Sequence, residues 1–263
     1  MTKPNQHISI LGCGWLGLEL GTYLVKNAFN VKGSTTSANK LDIISSHGIQ
    51  PYLIDLNELN TDQLTNFIAT EVLIFNIPPS KIDIKNLETF IETVNQSNLK
   101  SVVLISSIGI YADSNSLINE ENGTAFLSKT SLPYLIENTF KSSCKKGLTI
   151  LQLGGLIGEN RLPIQFASSK KVLSNPNGRI NFIHRSDVIQ IIEKVILENI
   201  TNETFICCSD LHPTKKEFYT RLAVQSNLPA PQFESIVNDT FKIMSSEKLK
   251  RKLNFEFKDI TKP

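Results

Sequence analysis

Along this chain, short apolar runs are separated by stretches in which apolar residues recur every three or four positions. The runs cover residues 8–11, 30–34, 50–54, 71–76, 101–106 and 148–153. They are too short for helices and end in turn signals, so they read as strands. Between them, segments 15–26, 38–46, 59–67, 84–97 and 130–145 carry helical spacing, and Leu16, Leu20, Tyr23 and Leu24 mark one such stripe. A strand and then a helix, repeated with short connections, predicts a parallel sheet with right-handed crossovers. The strands are apolar throughout rather than alternating, as expected of a sheet covered on both faces.

After Gly154 the rhythm changes. Asn175-Pro176-Asn177-Gly178 is a strong turn signal. A short strand is expected over 179–183, a helix over 186–198 and a strand over 205–208. Thr214 and Glu217 have capping-box spacing at the head of a helix running through Ala223. The last helix is expected near Ser245-Ser246-Glu247. No Gly-, Ser- or Pro-rich linker interrupts the chain. The expected architecture is therefore α/β: a doubly wound, mainly parallel sheet with a small C-terminal α/β lobe. Residues 1–263 form a single domain in this reading, with a core over 1–158 and a smaller lobe over 159–263.

Composition changes this picture little. The 263 residues are 40% hydrophobic, enough to build a sizeable core. A net charge of +2 points neither to nucleic acid nor to a membrane surface. No apolar run is long enough to span a bilayer. The polar stretch from Met1 to His7 does not resemble a secretory leader. Cys13, Cys144, Cys207 and Cys208 form neither a C-x-x-C pair nor a disulfide framework, which fits a cytoplasmic protein. The neighbours Cys207 and Cys208 read as buried structural thiols pointing to opposite faces. No metal-ligand spacing is present.

The chemistry is concentrated at Gly12-Cys13-Gly14-Trp15-Leu16-Gly17, between the first strand and the first helix. This fits G-x-G-x-x-G in its proper context, so the sheet is expected to be Rossmann-type, with 1–158 the dinucleotide-binding core and 159–263 mostly a substrate lobe. Gly12 permits the tight turn, Gly14 lets a pyrophosphate approach the backbone, and Gly17 lets helix and strand pack closely. The helix N-terminus then offers N–H groups and partial positive charge to the phosphates. The plain alternative is a glycine-rich strand–helix turn that binds nothing.

An acidic residue about 20 positions further on would accept from the ribose 2′-hydroxyl and mark NAD. The second strand instead leads into Ser34-Thr35-Thr36-Ser37, with Lys32 and Lys40 nearby. Hydroxyls and cations suit a 2′-phosphate, so NADP is favoured over NAD. Alternatively, Thr36 or Ser37 merely caps the next helix.

Five segments in order resemble the extended and atypical short-chain dehydrogenase/reductases, the NAD-dependent epimerase/dehydratase family. They are Gly12–Gly17, Ile105–Tyr111, Leu153–Gly158, Ile180–Asp187 and Ser245–Phe257. Asn76-Ile77-Pro78-Pro79 also resembles the atypical subgroup. The resemblance implies cofactor contacts at Asn76, Ile77 and Pro78, and at Asp55 toward the adenine amino group. Asp55 could equally cap the turn before Asn57. The resemblance further implies a small-molecule substrate and a homodimer through helices at the side of the sheet.

The family's chemistry uses a tyrosine, a lysine four residues on that lowers its pKa, and a serine near the substrate oxygen. Ser107 matches the serine. Tyr-x-x-x-Lys is absent: Ala125 precedes Lys129 in one register, and Lys129 precedes Pro133 in the other. Tyr134 is followed by Asn138. Tyr111 matches a tyrosine that is usually structural. Two readings follow. One is an oxidoreductase, epimerase or dehydratase with a rearranged acid, using Ser107 with Lys129 or Tyr134. The other is a dinucleotide-binding sensor or scaffold without turnover. His184 and Asp187 suggest a pair, although helix capping by Ser186 or Asp187 accounts for them as well. Arg161 and Arg185 could meet an anionic substrate or simply be solvated. Segments 112–129 and 159–177, expected to touch substrate, carry no recognisable chemistry.

Overall fold

A computed structural model describes residues 6–159, 161–169, 172–235 and 240–261. Residues 1–5 of the polar N-terminal stretch, and residues 160, 170 and 171 of the expected substrate-contacting stretch, lie outside this set.

The first half alternates as its pattern requires. β1 (His7–Leu11), β2 (Asn30–Thr35), β3 (Gln50–Leu53), β4 (Val72–Phe75) and β5 (Ser101–Ser107) are linked by α1 (Trp15–Lys26), α2 (Leu41–Ser46), α3 (Thr61–Phe67) and α4 (Ile84–Gln96). The expected helix over 38–46 opens as a 3-10 turn, Ala38–Lys40. Asn60 and Asp83 cap α3 and α4 through their side chains. The short β6 (Leu117–Ile118) precedes α5 (Leu132–Ser143) and β7 (Gly147–Leu153). Next come β8 (Gly155–Ile157), α6 (Pro163–Ser169), β9 (Phe182–His184), α7 (Arg185–Leu197), β10 (Glu203–Cys207), α8 (Lys215–Gln225), β11 (Ile243–Met244) and α9 (Glu247–Leu253).

Seven strands form one sheet in the order β10-β7-β5-β4-β1-β2-β3. β1 pairs in parallel with β2 on one side and β4 on the other, and the β2–β3 and β4–β5 pairs are also parallel. The chain winds outward from β1 through β2 to β3, then crosses back to β4. The carboxyl end of β1 is therefore the topological switch point, where doubly wound sheets bind ligands. Two short parallel pairs, β6 with β11 and β8 with β9, lie outside the main sheet.

The chain forms two compact units that interleave in sequence. The first comprises Met1–Ser106, Lys129–Leu151 and Ile192–Thr204; the second comprises Ser107–Ser128, Gln152–Ile191 and Phe205–Pro263. Leu73, Phe75, Phe90, Phe140 and Ile150 are at the centre of the first unit's core. Phe75 meets Phe140 edge-on at 5.0 Å between centroids. The second unit packs Ile157, Ile164, Ile180, Phe218 and Leu222 around its own core. Its α8 starts with the full Thr214–Glu217 capping box.

The strand expected over 179–183 begins later, at Phe182, while Arg179 makes only an isolated bridge with Thr214. Asp187 is fully buried and its Oδ2 accepts the Lys258 N–H at 2.9 Å, which ties the C-terminal segment to α7. Among the described residues, no helix is long and apolar enough to cross a membrane. No group of three or more described His, Cys, Asp or Glu residues could hold a metal ion.

Candidate functional site

The glycine turn is in the first unit, at the carboxyl end of β1. Gly12 has φ +106°, in the left-handed region that favours glycine, and a Cβ there would lie 2.5 Å from the Asn76 carbonyl oxygen. A Cβ on Gly17 would fall 2.2 Å from the Gly12 carbonyl oxygen. The protein's own packing therefore requires both residues to be glycine.

Gly14 is different. Its φ of −82° suits any residue, and a Cβ there would meet nothing within 4 Å. Gly14 is exposed and is the N-cap of α1, with no side chain to accept the N–H groups of the first turn. No acidic side chain lies in that turn. The helix thus presents N–H donors and its positive dipole end beside open space. Trp15 is half-buried in this first turn, and Leu16 turns into the core. Cys13 is buried, its Sγ fitting where Gly33 lacks a side chain. Burial pushes its thiol up to about 12, so it stays protonated and inert.

Side chains from both flanking strands grip the turn. Ser34 Oγ accepts the Gly12 N–H at 3.0 Å, and Asn76 Nδ2 donates to the Gly12 carbonyl at 2.9 Å. Ser34 is 2% exposed, so its hydroxyl faces the turn rather than an approaching ligand. Thr35 Oγ1 accepts the Ser37 N–H, whereas neither Thr36 nor Ser37 caps the following turn with its side chain. Thr36 and Lys40 are exposed. Lys32, expected among the cations of this region, points elsewhere. Its ammonium donates to the Asn66 carbonyl at 2.5 Å, beside the C-terminus of α3, and sits over the Tyr52 ring.

Asp55 Oδ1 accepts the Asn57 N–H at 2.8 Å, the capping contact anticipated from sequence. Asn57 in turn donates to the Lys81 carbonyl and accepts from the Asp83 N–H. The loop after β3 is thereby stitched to the loop after β4, where Ile77 is half-buried and Pro78 exposed.

The three catalytic candidates are split between the units. Ser107 is in the second, where its Oγ accepts the Gly109 N–H at 3.0 Å and caps a 3-10 turn. Lys129 and Tyr134 belong to the first unit. Lys129 is exposed, in the turn ahead of α5. Tyr134 is half-buried in the first turn of α5, its N–H directed to Ser131 Oγ, and Asn138, one turn on, is exposed. The residue one turn after Tyr134 is therefore an amide and not a lysine. Tyr111 is buried and its hydroxyl donates to Gln152 Oε1 at 2.7 Å, a structural role.

Glu137, which in sequence serves only as a register anchor with Asn138, has a buried place of its own. This carboxylate is 2% exposed on α5, accepts from Ser106 Oγ at 2.5 Å and pairs with Lys141 at 3.2 Å. Its position on the buried stripe beside Ile136 and Phe140 was the available signal. In the second unit, His184 Nδ1 faces Ser186 Oγ at 2.7 Å, and Arg185 pairs with Glu159. Burial and the Lys258 charge hold His184 below the usual histidine value.

No protein-family model matches the chain. Protein YeeZ of Escherichia coli K12 is 23% identical over 261 residues, covering 95% of each chain. A putative NAD-dependent epimerase/dehydratase from Methylobacillus flagellatus superposes with a TM-score of 0.78 at 21% identity, over 96% of this chain and 93% of that one. UDP-glucuronic acid 4-epimerase from Bacillus cereus, solved in complex with NAD, gives a TM-score of 0.77 at 16% identity, over 97% and 93%. The chain has the fold of the NAD-dependent epimerases and dehydratases within the short-chain dehydrogenase/reductase class. The two structural likenesses cover 96% and 97% of the chain.

Proposed function

We propose that the protein binds a nicotinamide adenine dinucleotide at the carboxyl end of β1, with NADP preferred over NAD. Gly14 carries this reading. Packing explains Gly12 and Gly17 but gives no reason for a glycine at Gly14. A pyrophosphate passing close to the backbone supplies one. The uncapped first turn of α1, around Gly14, Trp15 and Leu16, would hold the phosphates. Asp55, Ile77 and Pro78 would border the adenosine half, and Thr35, Thr36 and Lys40 would meet a 2′-phosphate. The absence of a carboxylate in the stretch from Ser34 to Lys40 supports NADP, since an acidic side chain there would repel the phosphate. Bound, such a cofactor supplies hydride transfer.

The chain's own part in any reaction would be an oxidoreductase, epimerase or dehydratase step on a carbonyl or sugar-nucleotide-like small molecule. Ser107 would donate to the substrate oxygen, and Tyr134 or Lys129 would be the available proton donor. The exposed Asn138 one turn beyond Tyr134 favours a second reading, a dinucleotide sensor or scaffold without turnover, because it stands where the resembling family's dyad would need a lysine.

Lys40→Ala tests the cofactor assignment. It should weaken NADPH binding about tenfold, the loss of one charge-assisted contact, and leave NADH within about twofold. Equal affinity of the parent for both cofactors, or no change on substitution, would remove the NADP preference.

A further inference from the structure

Four main-chain and side-chain bonds converge on the three residues that leave β1. The Asn76 N–H donates to the Leu11 carbonyl at 2.9 Å, and Asn76 Nδ2 to the Gly12 carbonyl at 2.9 Å. From the other side, Ser34 Oγ accepts the Gly12 N–H at 3.0 Å, and the Ser34 carbonyl accepts the Cys13 N–H at 2.7 Å. Both polar groups of Gly12 are thus held by side chains, one from β2 and one from the end of β4. The helix rests directly on this grip: a Cβ on Gly17 would lie 2.2 Å from the Gly12 oxygen and 3.0 Å from Asn76 Nδ2. A displacement of the Gly12 peptide would therefore move the first turn of α1.

We infer that Ser34 and Asn76 are positioning residues rather than ligand contacts. They lock the Gly12 peptide at its positive φ and so set where the N–H groups of α1 point. Ser34 is too buried to meet a ribose phosphate, and its hydroxyl is already committed as an acceptor. Asn76 is committed through both its N–H and its side-chain amide. The grip also takes the Gly12 N–H out of the set available to an anion, leaving those of the helix itself. A positioning role costs affinity when lost because a turn that must be ordered on binding weakens the complex.

This inference rests on the dinucleotide reading, and the two separate experimentally. Affinity for ADP, which has the pyrophosphate, is compared with affinity for AMP, which does not. Ser34→Ala and the near-isosteric Asn76→Asp should each weaken ADP and NADPH at least tenfold and leave AMP within twofold. Ser34→Thr, which keeps the acceptor, should restore ADP affinity to within twofold of the parent. In the free protein, hydrogen exchange at the Gly12 amide should quicken at least tenfold in Ser34→Ala, a readout that needs no ligand. A parent that binds neither ADP nor NADPH overturns the dinucleotide reading. A parent that binds both, with Ser34→Ala and Asn76→Asp unchanged or with ADP and AMP weakened equally, overturns the positioning role alone.

Discussion

Replacing each glycine of the turn with alanine separates what the protein needs from what a ligand needs. At Gly14 the new methyl meets no atom within 4 Å, and φ is −82°. Alanine is a poorer N-cap than glycine by about 0.5–1 kcal/mol. The loss of glycine's freedom in the unfolded chain offsets about 0.4–1 kcal/mol. Net stability should change by under about 0.5 kcal/mol, a Tm shift within about 2 °C for a chain of this size. At Gly17 the methyl would lie 2.2 Å from a main-chain oxygen that cannot swing away. Overpacking of that kind costs about 1–3 kcal/mol, so Tm should fall by about 3–10 °C.

Binding should rank differently. Gly14→Ala fills the approach to the helix N-terminus, and at least a tenfold loss of NADPH affinity is expected, about 1.4 kcal/mol. Trp15, the single tryptophan, follows Gly14 directly, so its fluorescence reports binding without a label. Thermal unfolding and a Trp15 titration of the same samples suffice. If Gly14→Ala binds like the parent, or unfolds as early as Gly17→Ala, the open space at Gly14 is not reserved for a ligand.

Two further predictions concern chemistry and pH. Turnover of sugar nucleotides or simple alcohols should be slow or absent, because the missing relay is worth on the order of 10²–10⁴ in rate; Ser107→Ala should remove most residual carbonyl reduction yet leave cofactor affinity nearly intact, and undiminished reduction by that variant would end the role given to Ser107. Burial holds His184 and His212 below 6.5 in the folded state, so the unfolded chain takes up protons first. Stability should accordingly be full above about pH 6.5 and fall as pH drops through the lower folded values, and a Tm that does not fall between pH 7.5 and 5.5 would contradict this. The partners of His184 in this balance are Lys258, Glu159, Asp187 and Arg185; those of His212 are the Ile180 carbonyl, Asp210 and Arg179. Asp187 and Glu120, pushed up by burial, titrate in the opposite sense, so His184→Gln and His212→Gln should each flatten the slope.

Local pattern carried the first unit well. The glycine turn, the bounds of α1 and the alternation of strands and helices follow from apolar spacing, and short-range capping was as legible at Thr214 and Glu217. Side-chain destinations were not. Lys32 reaches a carbonyl 34 residues away, and Asn76 and Asp187 find main-chain partners 64 and 71 residues distant. A hydroxyl such as Ser34 looks the same in sequence whether it faces a phosphate or a neighbouring turn. β6 and β11, two residues each, are too short to carry a period and exist because they pair with each other. The buried Glu137 broke an apolar stripe, a visible signal whose meaning depended on Ser106 across the fold.

Calorimetric titration of the unmodified protein with NADPH, and separately with NADH, decides whether the turn after β1 holds a dinucleotide. Saturable one-to-one binding of both is expected, with NADPH the tighter. Absence of binding by either dinucleotide at millimolar concentration would contradict it.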